Sequence, residues 1–160
     1  MTTTDEVTRA LLKLLKDEEA PLLEEAREAV ERTRMRRYEE SGRAVTAEWL
    51  KALHALVIQA VGTRHLEGIV DHAREVARER YAAGFELSEV QTAFNVLEEA
   101  IWHRILRTIP PDQQATALGL VSTVLGAGKD TLARTYVSLA SSTHAPSLNL
   151  QALFKGTDGV

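Results

Sequence analysis

Cysteine is absent from this 160-residue chain. That excludes a disulfide framework, a thiolate zinc site, an iron–sulfur cluster and any cysteine nucleophile, and it fits a reducing compartment. Glycine and proline are scarce, at nine and four, and most fall between segments with helical periodicity. No run alternates apolar and polar residues with a β-branched majority, so no strand is expected. Long apolar runs are also missing. The longest uncharged stretches, Gln113 to Gly128 and Thr135 to Phe154, are interrupted by Gln, Ser, Thr, His or Pro146. Neither supplies the roughly 20 predominantly apolar residues of a membrane span. The N-terminus, Met1-Thr-Thr-Thr-Asp-Glu, has neither the basic nor the apolar region of a signal peptide. A cytoplasmic protein without a membrane partner is expected. A basic excess is lacking too: 19 Lys and Arg stand against 23 Asp and Glu, a formal net charge of −4. That balance disfavours a general nucleic-acid binder.

What is present is a globular composition, 44% hydrophobic and 26% charged. A chain of this length buries about 68–70% of its unfolded surface and folds without staples. The periodicity predicts an all-α, single-domain helical bundle of about six helices over residues 1–143, with a tail over 144–160. The first helix runs from about Asp5 to Lys16. The second starts at Pro21, which suits a first helical turn, and stops at Ser41-Gly42. Thr46 is a candidate N-cap for the third, whose stretch Ala52 to Val61 is apolar nearly all round, as in a central buried helix. The fourth carries Leu66, Ile69, Val70, Ala73, Val76 and Ala77 on one side. Gly84 breaks the chain before Ser88-Glu-Val-Gln91, which reads as a capping box for the fifth helix. Pro110-Pro111 separates that helix from a sixth reaching about Ser141.

Catalytic signatures are weak throughout. Gly126-Ala-Gly128-Lys129-Asp130 superficially resembles a phosphate loop, but Thr123 and Asp130 stand where the motif needs Gly and Ser or Thr. Gly119, Ser122, Gly126 and Gly128 instead suit close helix approach. Five histidines invite a metal reading, yet the paired Glu-x-x-His motif of dinuclear bundles does not occur. His54 sits in the apolar arc of the third helix. It is either a candidate iron ligand or, the commoner case, a core histidine bonded to a carbonyl. His65, His72 and His144 read as surface residues, as do Glu98 and Glu99. The cluster Arg32 to Arg37 reads as a solvated helix end or a contact for a partner or a phosphate. No catalytic residue, metal site or cofactor is expected.

The fifth helix is the most informative. Val90, Phe94, Leu97, Ile101 and Ile105 share one face, while Trp102, Leu106 and Ile109 form a second stripe roughly 100° away. Two apolar sides require two partners, within the chain or across a subunit interface, where Trp is enriched. The sixth helix repeats leucine every seventh residue, at Leu118, Leu125, Leu132 and Leu139. A drift of about 20° per heptad keeps them on one face. They are read as bundle core first and as a dimer seam second.

The segment Arg80-Tyr-Ala-Ala-Gly84-Phe85-Glu-Leu87-Ser-Glu89-Val90, continued by Phe94, Leu97, Glu98 and Ile101, resembles the N-terminal domain of RsbR- and RsbRD-type regulators. In that family a basic helix end leads through a Gly-[Phe/Tyr]-x-Leu-x-Glu-[Val/Leu] turn into a long helix. Leu22, Leu23 and Trp49 fit its earlier part, and the resemblance spans about Leu15 to Ala140. It implies a helical or globin-like sensory domain, non-enzymatic, typically dimeric and without haem, working with a protein partner in bacterial-type stress signalling. Such domains precede output modules. About twenty residues follow Ser141, fewer than a STAS output domain needs, so a stand-alone regulator is expected. A ligand pocket is placed at Trp49 and His54. The alternative is a haem- or small-ligand-binding globin-like sensor with His54 as the ligand.

Overall fold

The computed structural model describes residues 3–33 and 43–144, and within them six α-helices and no strand. They are α1 (Thr4–Asp17), α2 (Glu19–Arg32), α3 (Arg43–Thr63), α4 (Glu67–Ala82), α5 (Leu87–Thr108) and α6 (Pro111–His144). The all-α bundle expected from periodicity is the fold observed. α2 ends at Arg32 with Thr33 as its C-cap, earlier than the expected stop at Ser41-Gly42; that stop, most of the Arg32–Arg37 cluster and the tail from residue 145 lie outside the described residues.

α1 opens with a capping box on Thr3. The Glu6 N–H donates to Thr3 Oγ1 at 3.3 Å, and the Thr3 N–H donates to Glu6 Oε2 at 3.1 Å. Val7, Leu11, Leu14 and Leu15 are buried at i, i+4, i+7, i+8 spacing. Glu18 alone joins α1 to α2, so Pro21 is the third residue of its helix rather than the first. Its missing N–H is still one of the four that a helix start leaves without an internal partner.

α2, α5, α6 and α4 lie side by side in that order, with α4 packed most extensively on α6. α1 and α3 pack against this layer, and α3 contacts all five other helices. Leu50, Leu53, His54, Val57 and Val61 of α3 are buried, as its apolar circumference requires. The helix begins before Thr46, so Thr46 is a buried residue of its first turns and not its N-cap. α3 ends on Arg64, which takes the left-handed φ of 63° and whose N–H donates to the Ala60 carbonyl.

The α5–α6 contact depends on one glycine. A Cβ on Gly128 would stand 2.7 Å from Phe94 Cε1, so the Phe94 ring rests directly on the α6 backbone. Gly119 and Gly126 have open space around them and perform no such service. Beside this contact Glu98, expected at the surface, is buried and accepts from Lys129 Nζ at 2.8 Å.

Candidate sensory site and partner-facing surface

The turn between α4 and α5 organises the aromatic residues. The Phe85 N–H donates to the Arg80 carbonyl and the Gly84 N–H to the Tyr81 carbonyl, a Schellman closure with Gly84 at φ 84°. That conformation suits glycine because a Cβ there would be strained. The closure turns Phe85 inward, edge-on to Trp49 of α3 with ring centroids 6.4 Å apart. The Arg80 guanidinium lies over the Trp49 ring, 3.4 Å from its centroid, a desolvated cation–π contact. Tyr81 packs edge-on to Tyr136 of α6 at 5.5 Å. The Tyr136 hydroxyl donates to the Phe85 carbonyl at 3.1 Å, and burial pushes its pKa up to about 12. It therefore stays a donor at every working pH.

α5 then starts at Leu87, one residue before Ser88. Its N-cap is Glu86, whose N–H donates to Glu89 Oε1 at 3.0 Å. The capping box read at Ser88 and Gln91 is thus displaced by two residues. Ser88 lies inside the first turn, where its carbonyl accepts from the Thr92 hydroxyl.

Trp49 lines a partly enclosed cavity of about 110 Å³ between α3, α4 and α5. Leu53, Val76, Val90, Ala93 and Phe94 supply its apolar walls, and His72, Glu79 and Arg80 its polar edge. His72 was expected at the surface. It is half-buried, and desolvation lowers its pKa against the opposing pull of Glu75 and Glu79. The signal was available in the i, i+4, i+8 spacing of His72, Val76 and Arg80, which places all three on one face of α4.

His54, paired with Trp49 at the sequence level, does not line this cavity. It is fully buried, with Nε2 2.8 Å from the Leu15 carbonyl oxygen. A carbonyl only accepts, so Nε2 carries the proton and donates. Nδ1 is then a bare acceptor, and it has no partner among the described residues. Burial lowers the His54 pKa and keeps the ring neutral. The Leu15 carbonyl belongs to the last turn of α1, where carbonyls lack intrahelical donors. His54 is therefore the cap of α1, the carbonyl-bonded core histidine of the two sequence readings. The Trp49 cavity is smaller than the roughly 150 Å³ that accommodates benzene in a protein core, far short of a macrocycle.

The second stripe of α5 divides. Trp102 is 40% exposed and Leu106 55%. Ile109 is only 5% exposed. The helical wheel fails there because α5 ends at Thr108 and Ile109 has extended backbone, φ −84° and ψ 134°, as expected before proline. Its side chain turns back into the core. On α6, Leu125 and Leu132 are fully buried and Leu118 and Leu139 half-buried, with Val121 and Gly128 buried beside them. Leu125 and Leu132 of the ladder, with Ile109, lie in the bundle core, while Leu118 and Leu139 are only half-buried. Flanking Trp102, polar side chains tie α5 to α2 and to the residue before it: His103 Nδ1 lies 3.0 Å and Arg104 3.3 Å from the Glu25 carboxylate, and Arg104 Nε lies 3.6 Å from Glu18.

No helix among the described residues is long and apolar enough to cross a membrane. Neither a curated protein nor a solved structure matches the chain. The family of the RsbT co-antagonist protein rsbRD N-terminal domain matches over residues 22–145. That span holds Trp49, the Arg80–Val90 turn and the whole of α5, the parts of the signature whose packing is described above, and the chain belongs to this family.

Proposed function

We propose that the chain is a non-enzymatic regulatory module of stress-type signalling, a cytoplasmic protein that works as a homodimer and passes its state to a protein partner. The family supports the regulatory role, since its description is that of a co-antagonist. The observation that carries the dimer is the pairing of Trp102 and Leu106, one turn apart and both exposed, on a helix whose opposite face is fully buried. A large aromatic next to a leucine is the type of anchor that dominates protein interfaces. Ile109, Leu125 and Leu132 are buried within the chain, so the proposed seam centres on Trp102 and Leu106, with the half-buried Leu118 and Leu139 of α6 as its remaining candidates.

Leu106→Glu tests it. In the isolated chain Leu106 faces solvent, so a carboxylate there leaves the fold intact. In a closed seam it is an unpaired buried charge, which is costly. The expected result is a folded monomer, seen by light scattering and circular dichroism on the same sample. Wild-type protein that is already monomeric at tens of micromolar, a concentration corresponding to about 6 kcal/mol of association, refutes the dimer.

A further inference from the structure

We infer that the cavity between Trp49, His72 and Phe94 is a binding site for a small neutral aromatic hydroxyl compound, of the phenol class. As the input of a sensory module the site rests on the reading above; as a binding site it stands on its own geometry. The cavity, about 110 Å³ and only partly enclosed, falls short of the roughly 150 Å³ that surrounds a whole benzene ring, so a single ring enters it in part and leaves its substituted edge at the opening. Val76, Val90 and Phe94 give it apolar walls, and the Trp49 indole lines one side.

The edge selects for charge. Trp49 already carries the Arg80 guanidinium 3.4 Å from its ring centroid, so that cation is held against indole rather than presented to a ligand. Glu79 borders the same edge and repels a carboxylate. His72 is kept neutral by its burial, so it offers an imidazole lone pair or N–H and no positive charge. A neutral imidazole beside an apolar slot matches one hydroxyl on one ring. An organic anion would leave water for walls that do not compensate its charge.

The position suits an input. Three helices meet at the cavity, and Phe94 connects it to the α5–α6 contact at Gly128. A ring inserted between Trp49 and Phe94 presses on that contact. It shifts the module to the extent that it prefers one helix packing over another.

Phenol is the probe, titrated into the full-length protein and followed by the two tryptophan indole N–H resonances in a proton–nitrogen correlation spectrum. Trp102→Phe assigns which is which. The Trp49 indole signal should shift saturably with phenol, and benzoate should need at least about tenfold more to match it. Ala93→Leu, which fills the cavity, should abolish the phenol response. His72→Leu, which leaves the cavity open, should weaken phenol by about tenfold or less, the value of one hydrogen bond, and leave toluene binding unchanged. The two variants change different helices, so a folding defect in one does not remove the other's test. Absence of a saturable Trp49 shift overturns the site. Benzoate binding as well as phenol overturns the ligand class. A phenol response that survives in folded Ala93→Leu, or is unchanged in His72→Leu, overturns the location. Light scattering on the same wild-type sample keeps the two readings apart: a monomer that binds phenol sinks the dimer and leaves the site standing.

Discussion

The buried His54 makes stability depend on pH in a calculable way. In the folded chain its pKa lies below the usual 6.5, because burial opposes the imidazolium. In the unfolded chain it titrates normally. As pH falls through 6.5 the unfolded state binds a proton that the folded state does not, so unfolding becomes easier. The contribution is fully present above the unfolded pKa and is lost progressively below it, until the folded pKa is reached. The limiting slope is about 1.4 kcal/mol per pH unit for one proton. Between about pH 7.5 and about pH 5 the loss therefore has a ceiling of about 2 kcal/mol for His54 alone. His72, lowered by the same cause, adds in the same direction. Replacement of His54 by Leu isolates its share. The variant loses the donor to the Leu15 carbonyl, a penalty of about 1–3 kcal/mol for a buried acceptor left unpaired. It also removes the unpartnered Nδ1, which offsets part of that cost. Urea unfolding at both pH values should show a variant that is less stable at the higher pH and less sensitive to the change. If the two proteins lose stability in parallel, His54 takes up its proton as readily in the folded state as in the unfolded one, and the reading of a neutral capping histidine is wrong.

Gly128→Ala should lower the unfolding midpoint. Its Cβ meets the Phe94 ring at 2.7 Å, and overpacking of this kind costs about 1–3 kcal/mol against roughly 1 kcal/mol gained in helix propensity. Gly126→Ala, with nothing within 4 Å, should instead be neutral or stabilising; equal effects of the two in thermal melts would show that Gly128 is not a contact point. Ser88→Ala should leave stability unchanged, while Glu89→Ala should cost about 0.3–1.5 kcal/mol by opening the capping box at Glu86. The reverse order in chemical denaturation would move the start of α5 back to Ser88.

Periodicity was sufficient for the helices because their buried faces follow it closely. Val7, Leu11, Leu14 and Leu15 of α1, and Val90, Phe94, Leu97, Ile101 and Ile105 of α5, are the residues a helical wheel selects, and all are buried. Caps were harder to read, since several polar residues near a helix start compete for the role. Thr46 and Ser88 have suitable side chains, yet α3 begins at Arg43, and Glu86 with Glu89 closes α5 earlier. The wheel also loses meaning beyond the last helical residue, which is why Ile109 was grouped with Trp102 and Leu106. Of the residues lining the cavity, Trp49 is a sequence candidate and His72 is not. The spacing of His72 with Val76 and Arg80 places it on one face of α4, but that this face meets α3 and α5 is not in the local pattern, because those helices come from distant parts of the chain. His54 was legible as buried, but its partner on α1, thirty-nine residues away, was not.

The outer edge of α5 is held by different physics from its core face, and this bears on how a signal would cross the module. The N-terminal half is fixed by shape: Phe94 seats on a glycine backbone, and Val90 and Leu97 are buried on either side. Beyond Trp102, Ile105 is buried in the core, and at the outer edge Glu25 and Glu18 also reach His103 and Arg104. Partly exposed ion pairs of this kind contribute about 0–1 kcal/mol each and weaken with salt, whereas close packing tolerates little displacement. From Ala93 at the cavity to Trp102 the helix is about 14 Å long at 1.5 Å per residue. A helix that short moves nearly as a rigid rod. A small tilt imposed at the cavity is therefore felt at the outer edge, where ion pairs supplement the packing, on the face that carries Trp102 and Leu106. If that route operates, raising the salt concentration should loosen the α2–α5 contact and lower the protection of α5 amides near Arg104 in hydrogen exchange, while amides near Leu97 stay protected. Uniform loosening along the whole helix would mean that α5 responds as one unit and that its two ends are not differently restrained.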